Sequence, residues 1–542
     1  MEINKKQKIL IKTLFLQIKK TQVMILIFEK NVIQKNLKDI NLRIGLCYPN
    51  IYRTAMSSLG YEILYNMIND RKDNYCERII YPNTRSIETN SPLKDFDIIS
   101  FTMQYEEDYF NIVKMLQDSE IPLRSKDRGD NDPLIIAGGP CATANPMPMA
   151  DFIDLFVIGE GEKVIDPLLD CYLQNPGKDV NNYLDIPGVY IPKLDNTAKI
   201  AIVEDMNEAY HVTCPIISET DEEKFELAFK DSIMLNVSRG CTRGCRFCMS
   251  SYLYRPMRET ELKKLIEIAE LTREKTELNK IVLIGAAVSD YSHITELIKE
   301  LKKRDFQIAT PSLRIESIDE NHLKMLKESG LKTLTIAPES ISKLRSKINK
   351  NIPDEKIFEV VKTAFELNFN IKLYFLIGLP TETLDDIKEL SKFMKKIAKY
   401  NINNNTVKFS VNPVIPKPHT PLQWEQYNLK DIKKKMRLLK KEMKGYNIKF
   451  ESPKKGMIQY ILSCGNRTVS HIIEKSLTRN ITLKEWKEYL PNYNILEPLP
   501  WENIDIGIKK KFLVNEYKRI ESGKETPWCE KGACYNCGAC ND

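Results

Sequence analysis

The 542-residue sequence predicts an α/β protein made of two successive parallel-sheet units and a small cysteine-bearing C-terminal region. Three observations carry this. Short apolar runs alternate with helical stretches over 41–175 and again over 231–427, a pattern that crossover connections turn into parallel sheets. The runs of the second stretch are apolar throughout rather than at alternate positions, as strands covered on both faces must be. Seven of the thirteen cysteines fall in two groups, three at 241–248 and four at 529–540, which is metal arithmetic and not a disulfide framework.

Residues 1–40 read as a basic N-terminal extension. Nine lysines stand there against Glu2, Glu29 and Asp39, so this segment holds +6 of the net charge of +7 and leaves a nearly neutral body. Such a body weakens, without closing, the case for a nucleic-acid partner. The stretch MEINKKQKILIKTLFLQIKKTQVMILIF lacks an unbroken apolar core and a small-residue cleavage site, so it is not read as a secretory signal. It is expected to be an extension upstream of a start at Met24; a basic amphipathic helix for a membrane surface or partner is the alternative. No uncharged apolar run approaches the roughly 18 residues of a membrane span. Cysteines grouped for metal fit a cytoplasmic protein.

Residues 41–175 run through RIGLCYP, a helix near Ser57–Asn69, ERIIYP, DIISFTM, a helix near Glu106–Gln117, PLIIAGGP and FIDLFVIGEGE. This order predicts a doubly wound, Rossmann-like sheet. Gly138 and Gly139, and Gly159 and Gly161, sit at strand ends, where open α/β sheets bind ligands and where glycine lets backbone approach a large planar or phosphorylated group. Residues 176–230 read as a linker, with a hairpin over Pro187–Val203 turning at Asp195-Asn196 and a solvated acidic run, TDEEK.

From 231 to 427 six strands, IMLNV, KIVLIGAAVSD, FQIATPSLRI, TLTIAPES, NIKLYFLIGLP and TVKFSVNPVIP, alternate with helices at Glu261–Lys275, Ile294–Lys303, Glu320–Ser329, Asp354–Leu367 and Thr383–Tyr400. They predict a partial (β/α)6 barrel of the TIM type, with ligand loops at the carboxyl ends of its strands. The first of those loops carries Cys241, Cys245 and Cys248 as C-x-x-x-C-x-x-C, with Gly240 and Gly244 between them. Structural zinc closes its coordination with four protein ligands, whereas a 4Fe–4S cluster on three thiolates keeps one iron open for a small molecule. Residues 428–542 begin with a lysine-rich helix whose Ile432, Met436, Leu439 and Met443 form an apolar stripe. They end in Cys529, Cys534, Cys537 and Cys540, four thiols in twelve residues that make a complete metal site by themselves. Zinc and a second iron–sulfur cluster both remain open there. The two cysteine groups are expected to act independently, so that Cys537→Ser would unfold the tail and spare the first site.

The C-x-x-x-C-x-x-C spacing, with Phe247 just before the last cysteine, resembles the signature of the radical S-adenosylmethionine (SAM) superfamily. The resemblance implies that Cys241, Cys245 and Cys248 hold a 4Fe–4S cluster whose open iron binds SAM, and that SAM is cleaved to a 5′-deoxyadenosyl radical. It also implies cofactor contacts at the strand ends: Gly285 near the SAM amino group, Ser312 and Arg314, Glu339 near the ribose or methionine moiety, and Gly378 with Pro380 near adenine. PKPHTPLQW, with His419, resembles a barrel-exit segment of methylthiotransferase-like members. IIAGGPCAT followed by VIGEGE resembles the cobalamin-binding domain that precedes many such barrels.

That last likeness is incomplete. The five histidines, His211, His293, His322, His419 and His471, all lie outside 41–170, so the D-x-H-x-x-G ligand motif is missing, and Cys141 replaces histidine in G-G-P-H. Cobalamin without a histidine ligand, a scaffold that lost the cofactor, and another ligand all stay open. The function implied is a radical SAM enzyme acting on an unknown substrate, with cobalamin-dependent C-methylation as one form. Methylthiotransferase-like modification of RNA or protein, and a non-catalytic RNA- or protein-binding platform, are the alternatives. A ferredoxin- or flavodoxin-type electron donor is implied as partner, and a macromolecular substrate stays open.

Overall fold

The computed structural model describes residues 28–219, 227–309, 314–328, 330–529 and 534–540. The greater part of the N-terminal extension, with Met24, and the TDEEK run lie outside them. The N-terminal unit is a six-stranded sheet in the order 74–80, 42–48, 98–102, 134–138, 155–157 and 189–190; the first five strands are parallel and the last is antiparallel. Strands Asn74–Ile80 and Ile98–Thr102 are buried at every residue, as a doubly covered sheet requires. The chain order of the parallel strands is 2-1-3-4-5, so direction reverses between 42–48 and 98–102, and a crevice opens outside the carboxyl ends at such a switch point.

Two expectations change here. The extension read over residues 1–40 is not all peripheral: Glu29–Lys30 pairs with Ile217–Ser218, and the buried Glu29 carboxylate meets the Arg78 guanidinium at 2.7 and 2.9 Å. Arg78 is fully buried and is also held by Glu88, because a cation without water needs carboxylates around it. The hairpin over Pro187–Val203 does not form. Val189–Tyr190 joins the sheet's edge, while Ala198–Lys199 pairs in parallel with Ile504–Asp505. A turn signal fixes where a chain bends, and here longer-range partners capture each arm.

The barrel is an arc of two parallel sheets. Strands 233–236, 280–284 and 307–309 form the first, and 333–339, 370–377, 407–413 and 448–450 form the second. Predicted helices fall where periodicity placed them: Ile294–Lys303 matches to the residue, and Leu384–Lys399 starts behind a Thr383 capping box. The six strands expected to 427 gain a seventh, Ile448–Phe450, after helix Leu429–Glu442. Three residues are too short a run to read as a strand. The lysine-rich helix keeps its apolar stripe inward, yet Lys435 is buried with it, between Asp431 and Glu382. One continuous core joins a face of the N-terminal sheet to the second half of the barrel, whereas the first half, which carries the cysteine loop, has a core of its own. Among the described residues no helix is long and apolar enough to cross a membrane.

Candidate functional site

The cysteine loop leaves strand Ile233–Asn236 and is closed at its base by a two-residue antiparallel ribbon, Ser238–Arg239 with Arg258–Glu259. Gly240, at φ +87°, turns the chain where a Cβ would stand 2.3 Å from the Tyr254 carbonyl oxygen, so only glycine fits. Cys241 and Cys245 are buried and Cys248 is half-buried. Burial pushes the Cys245 thiol up to about 12, against the pull of Lys350 and Arg314. Arg314 places Nη2 3.2 Å from Cys241 Sγ, and Lys350 bridges toward Glu339 at 2.7 Å. A dry cradle with two cations facing it suits thiolates that carry negative charge only when a metal is bound. Among the described residues no three His, Cys, Asp or Glu side chains are close enough to share one metal ion; the thiolates of a four-iron cluster each bind a different iron.

Two regions grip this loop. At the stem, Glu160 of the N-terminal unit accepts from Arg258 at 2.9 and 3.0 Å, lies 3.3 Å from Arg239, and takes the Val203 amide at 2.6 Å. Glu162 takes Arg239 at 2.6 Å. At the tip, Asn349 donates to the carbonyls of Gly244, Arg243 and Thr526. Arg246, fully buried, meets Glu516 and the Lys524 carbonyl. The Cys529 amide donates to the Thr242 carbonyl at 3.3 Å, and Arg243, paired with Asp290, lies over the Trp528 ring.

Beside the stem lies a cleft of about 290 Å³ at the carboxyl ends of the N-terminal sheet. Its wall on the sheet side includes Ser100–Thr102, Gly138, Gly139, Gly159 and Gly161; across it stand Asn236, Arg239, Tyr254 and Ile284 from the barrel mouth. All four predicted glycines of the first unit therefore line one cavity. Two of them have a reason within the chain: a Cβ on Gly159 would meet the Ala201 carbonyl oxygen at 2.1 Å, and on Gly139, at φ +108°, the Met103 carbonyl oxygen at 3.0 Å. At Gly139 and Gly159 the close approach is to the protein's own backbone, whereas a Cβ on Gly161 would meet the Leu64 side chain at 2.9 Å.

The barrel residues divide. Gly285 lies against the stem, its Cβ position 2.9 Å from Ser238 Oγ, and Arg314 and Glu339 face the cysteines directly and through Lys350. Glu339 ends its strand at φ +65° beside a register shift. Gly378 and Pro380 are not brought to the cysteine loop but line a separate cavity of about 220 Å³, where Ile432 of helix Leu429–Glu442 packs over Gly378. Ser312 lies outside the described residues. His419 is buried, and burial lowers its ring to about 3, so it stays neutral, beside the Trp501 ring. Cys141 is buried too. Sequence reasoning missed Glu160, Arg239, Arg258 and Asn349; the acids were visible in GEGE, but their partners were not.

The fold is thus an open α/β unit followed by a partial barrel, with a cleft between the sheet's carboxyl ends and the barrel mouth that carries three cysteines. Residues 60–192 match the model for the N-terminal region of radical SAM proteins, and residues 235–394 match that of the radical SAM superfamily. An uncharacterised protein of Methanocaldococcus jannaschii, MJ0966, is 34% identical over 439 residues, covering 80% of this chain and 91% of its own. The chain belongs to the radical SAM superfamily, and membership implies a 4Fe–4S cluster and SAM. An uncharacterised methyltransferase of Pyrococcus horikoshii, PH0819, is 24% identical over 48% of this chain and 58% of its own length, so the chain spans less than two thirds of that relative. In fold the chain is similar to the radical SAM methyltransferase TsrM of Kitasatospora setae, solved with cobalamin and a [4Fe-4S] cluster bound, at a TM-score of 0.51 and 13% identity over 71% of this chain and 77% of that one.

Proposed function

We propose that Cys241, Cys245 and Cys248 hold the 4Fe–4S cluster, that SAM is cleaved there, and that the cleft beside the stem takes a methyl-carrying cobalamin for transfer to an unknown substrate. The observation that carries this reading is the cleft itself: whatever binds at the switch point of the N-terminal sheet faces Asn236, Arg239 and Ile284 at the barrel mouth. When bound, the cluster and SAM supply a 5′-deoxyadenosyl radical and cobalamin supplies a methyl group. The chain's residues do the rest. Arg314 and Lys350 neutralise the thiolates, Glu339 orients Lys350, and the ribbon with Gly285 packed on it sets the height of the loop. Leu59, Ile63, Leu64, Phe101 and Val157 give the cleft an apolar floor suited to a planar group. Among the described residues no histidine lines it. A low-potential donor of the ferredoxin or flavodoxin type supplies the electron.

Methylthiolation is the second reading, supported by the second cysteine group packed against the loop. The test is anaerobic reconstitution followed by dithionite and SAM. 5′-Deoxyadenosine is expected from the native chain and none from the Cys241, Cys245, Cys248→Ala triple variant; identical behaviour of the two sinks the enzyme reading. Retention of corrin absorbance after gel filtration with hydroxocobalamin is expected, and its absence removes the cobalamin part alone.

A further inference from the structure

The two cysteine groups lie far apart in the chain and look independent in sequence, yet the fold brings them into one assembly. We propose that Cys529, Cys534, Cys537 and Cys540 form a thiophilic metal centre whose occupancy holds the tip of the cluster loop in place.

The tail is built for such a centre. Asn536 and Gly538, between the last three cysteines, have φ of +51° and +100°, so the chain turns sharply there. The Asn536 amide donates to Cys534 Sγ at 3.3 Å, and the Cys537 carbonyl accepts from the Lys509 amide at 2.7 Å. A Cβ at Gly538 would sit 2.6 Å from the Gly507 carbonyl oxygen, which pins the turn to the segment before helix Lys510–Ser522. Four thiols on one short, turn-rich tail are soft ligands, and a soft cation binds them as thiolates by gathering them.

Gathering them acts on the loop. Cys529 is itself a ligand, and its amide is bonded to Thr242, the neighbour of Cys241. Trp528 lies on Arg243, and the Thr526 amide donates to Asn349 Oδ1 at 2.9 Å, while Asn349 Nδ2 holds the carbonyls of Arg243 and Gly244. A metal that fixes residue 529 therefore fixes 526–529, and with them the backbone between Cys241 and Cys245. This is a coupling free energy between two sites through one packed segment, and it works in both directions. It rests on the assignment of Cys241, Cys245 and Cys248 as cluster ligands, but not on any substrate or on cobalamin.

The experiment counts metal at each site separately and watches the loop. In the Cys241, Cys245, Cys248→Ala variant, iron and zinc analysis after anaerobic reconstitution reads the tail alone: about four iron assigns a cluster, about one zinc a single ion, and no metal overturns the proposal. In a Cys534→Ser, Cys537→Ser variant, iron at the loop site is expected to fall roughly fivefold or more, the low end of usual coupling, with faster amide exchange at residues 242–246. Unchanged loop iron and exchange overturn it. Because a tail variant could disturb the fold, exchange over helix 384–399 is read in the same sample. Trp528→Ala offers a second route: tail metal should stay while loop exchange rises, and unchanged loop exchange overturns the coupling. The outcome is separable from the enzyme reading, since metal counts and exchange require no SAM cleavage.

Discussion

The stem and the tip of the cysteine loop are held by different physics. At the stem, one carboxylate, Glu160, meets guanidinium groups from both strands of the ribbon, with Glu160 and Arg258 each 6% exposed. At the tip, the grip is made of amide-to-carbonyl bonds, a buried Arg246–Glu516 pair and a ring on a guanidinium, supplied by a segment that carries cysteines of its own. A buried ion pair is unforgiving: it adds little net stability over an apolar pair, but removing one member leaves a charge stranded. A set of backbone bonds is graded, each worth about 1 kcal/mol, and can tighten or loosen with whatever anchors its donor segment. The stem is thus held chiefly by buried charge, whereas the tip adds to its own buried Arg246–Glu516 pair a set of bonds that can adjust.

The comparison can be broken in order of effect. Replacing Cys241, Cys245 and Cys248 by alanine removes the proposed cluster ligands from the loop that both grips hold, and 5′-deoxyadenosine should fall below detection in an anaerobic SAM-cleavage assay. Glu160→Ala should cost about 3–5 kcal/mol in denaturant unfolding, because Arg258 loses its counter-charge in a dry place and Arg239 loses one of its two. Glu162→Gln, which affects Arg239 alone, should cost clearly less; an equal loss would show that the shared carboxylate is not what matters. Asn349→Ala at the tip should cost about 1–3 kcal/mol for three carbonyls left without its donor, measured the same way. Trp528→Leu should cost least, about 0.5–1 kcal/mol for the lost cation–π contact, unless the metal-coupled tail amplifies it. Gly159→Ala belongs beside the stem variants: its Cβ meets the Ala201 backbone, so it should lower stability as well as any ligand retention, and a loss of ligand alone would restore the idea that this glycine serves the ligand.

Much of the fold was legible because its signals are local. Helices 262–276, 294–303 and 384–399 follow from a 3.6-residue period, and the apolar strands follow from double coverage. The strand Ile448–Phe450 was not legible, since three residues carry no period. The failed hairpin at 187–203 shows the same limit from the other side: a correct turn signal, with each arm claimed by a strand elsewhere. Within the site, the spacing of Cys241, Cys245 and Cys248 announced itself, and so did the placement of glycines at strand ends. What those glycines touch did not.

The sequence by itself determined the class of chemistry, because three thiols within eight residues and a run of β/α units are relations between near neighbours in the chain. Only the tertiary structure decided what holds the reactive loop. Glu160 and Arg258 stand 98 residues apart, and Thr242 and Cys529 belong to opposite ends of the barrel region and tail. Such pairs are set by how sheets and helices pack, since a charge or an amide can choose its partner only once the fold has removed water from around it.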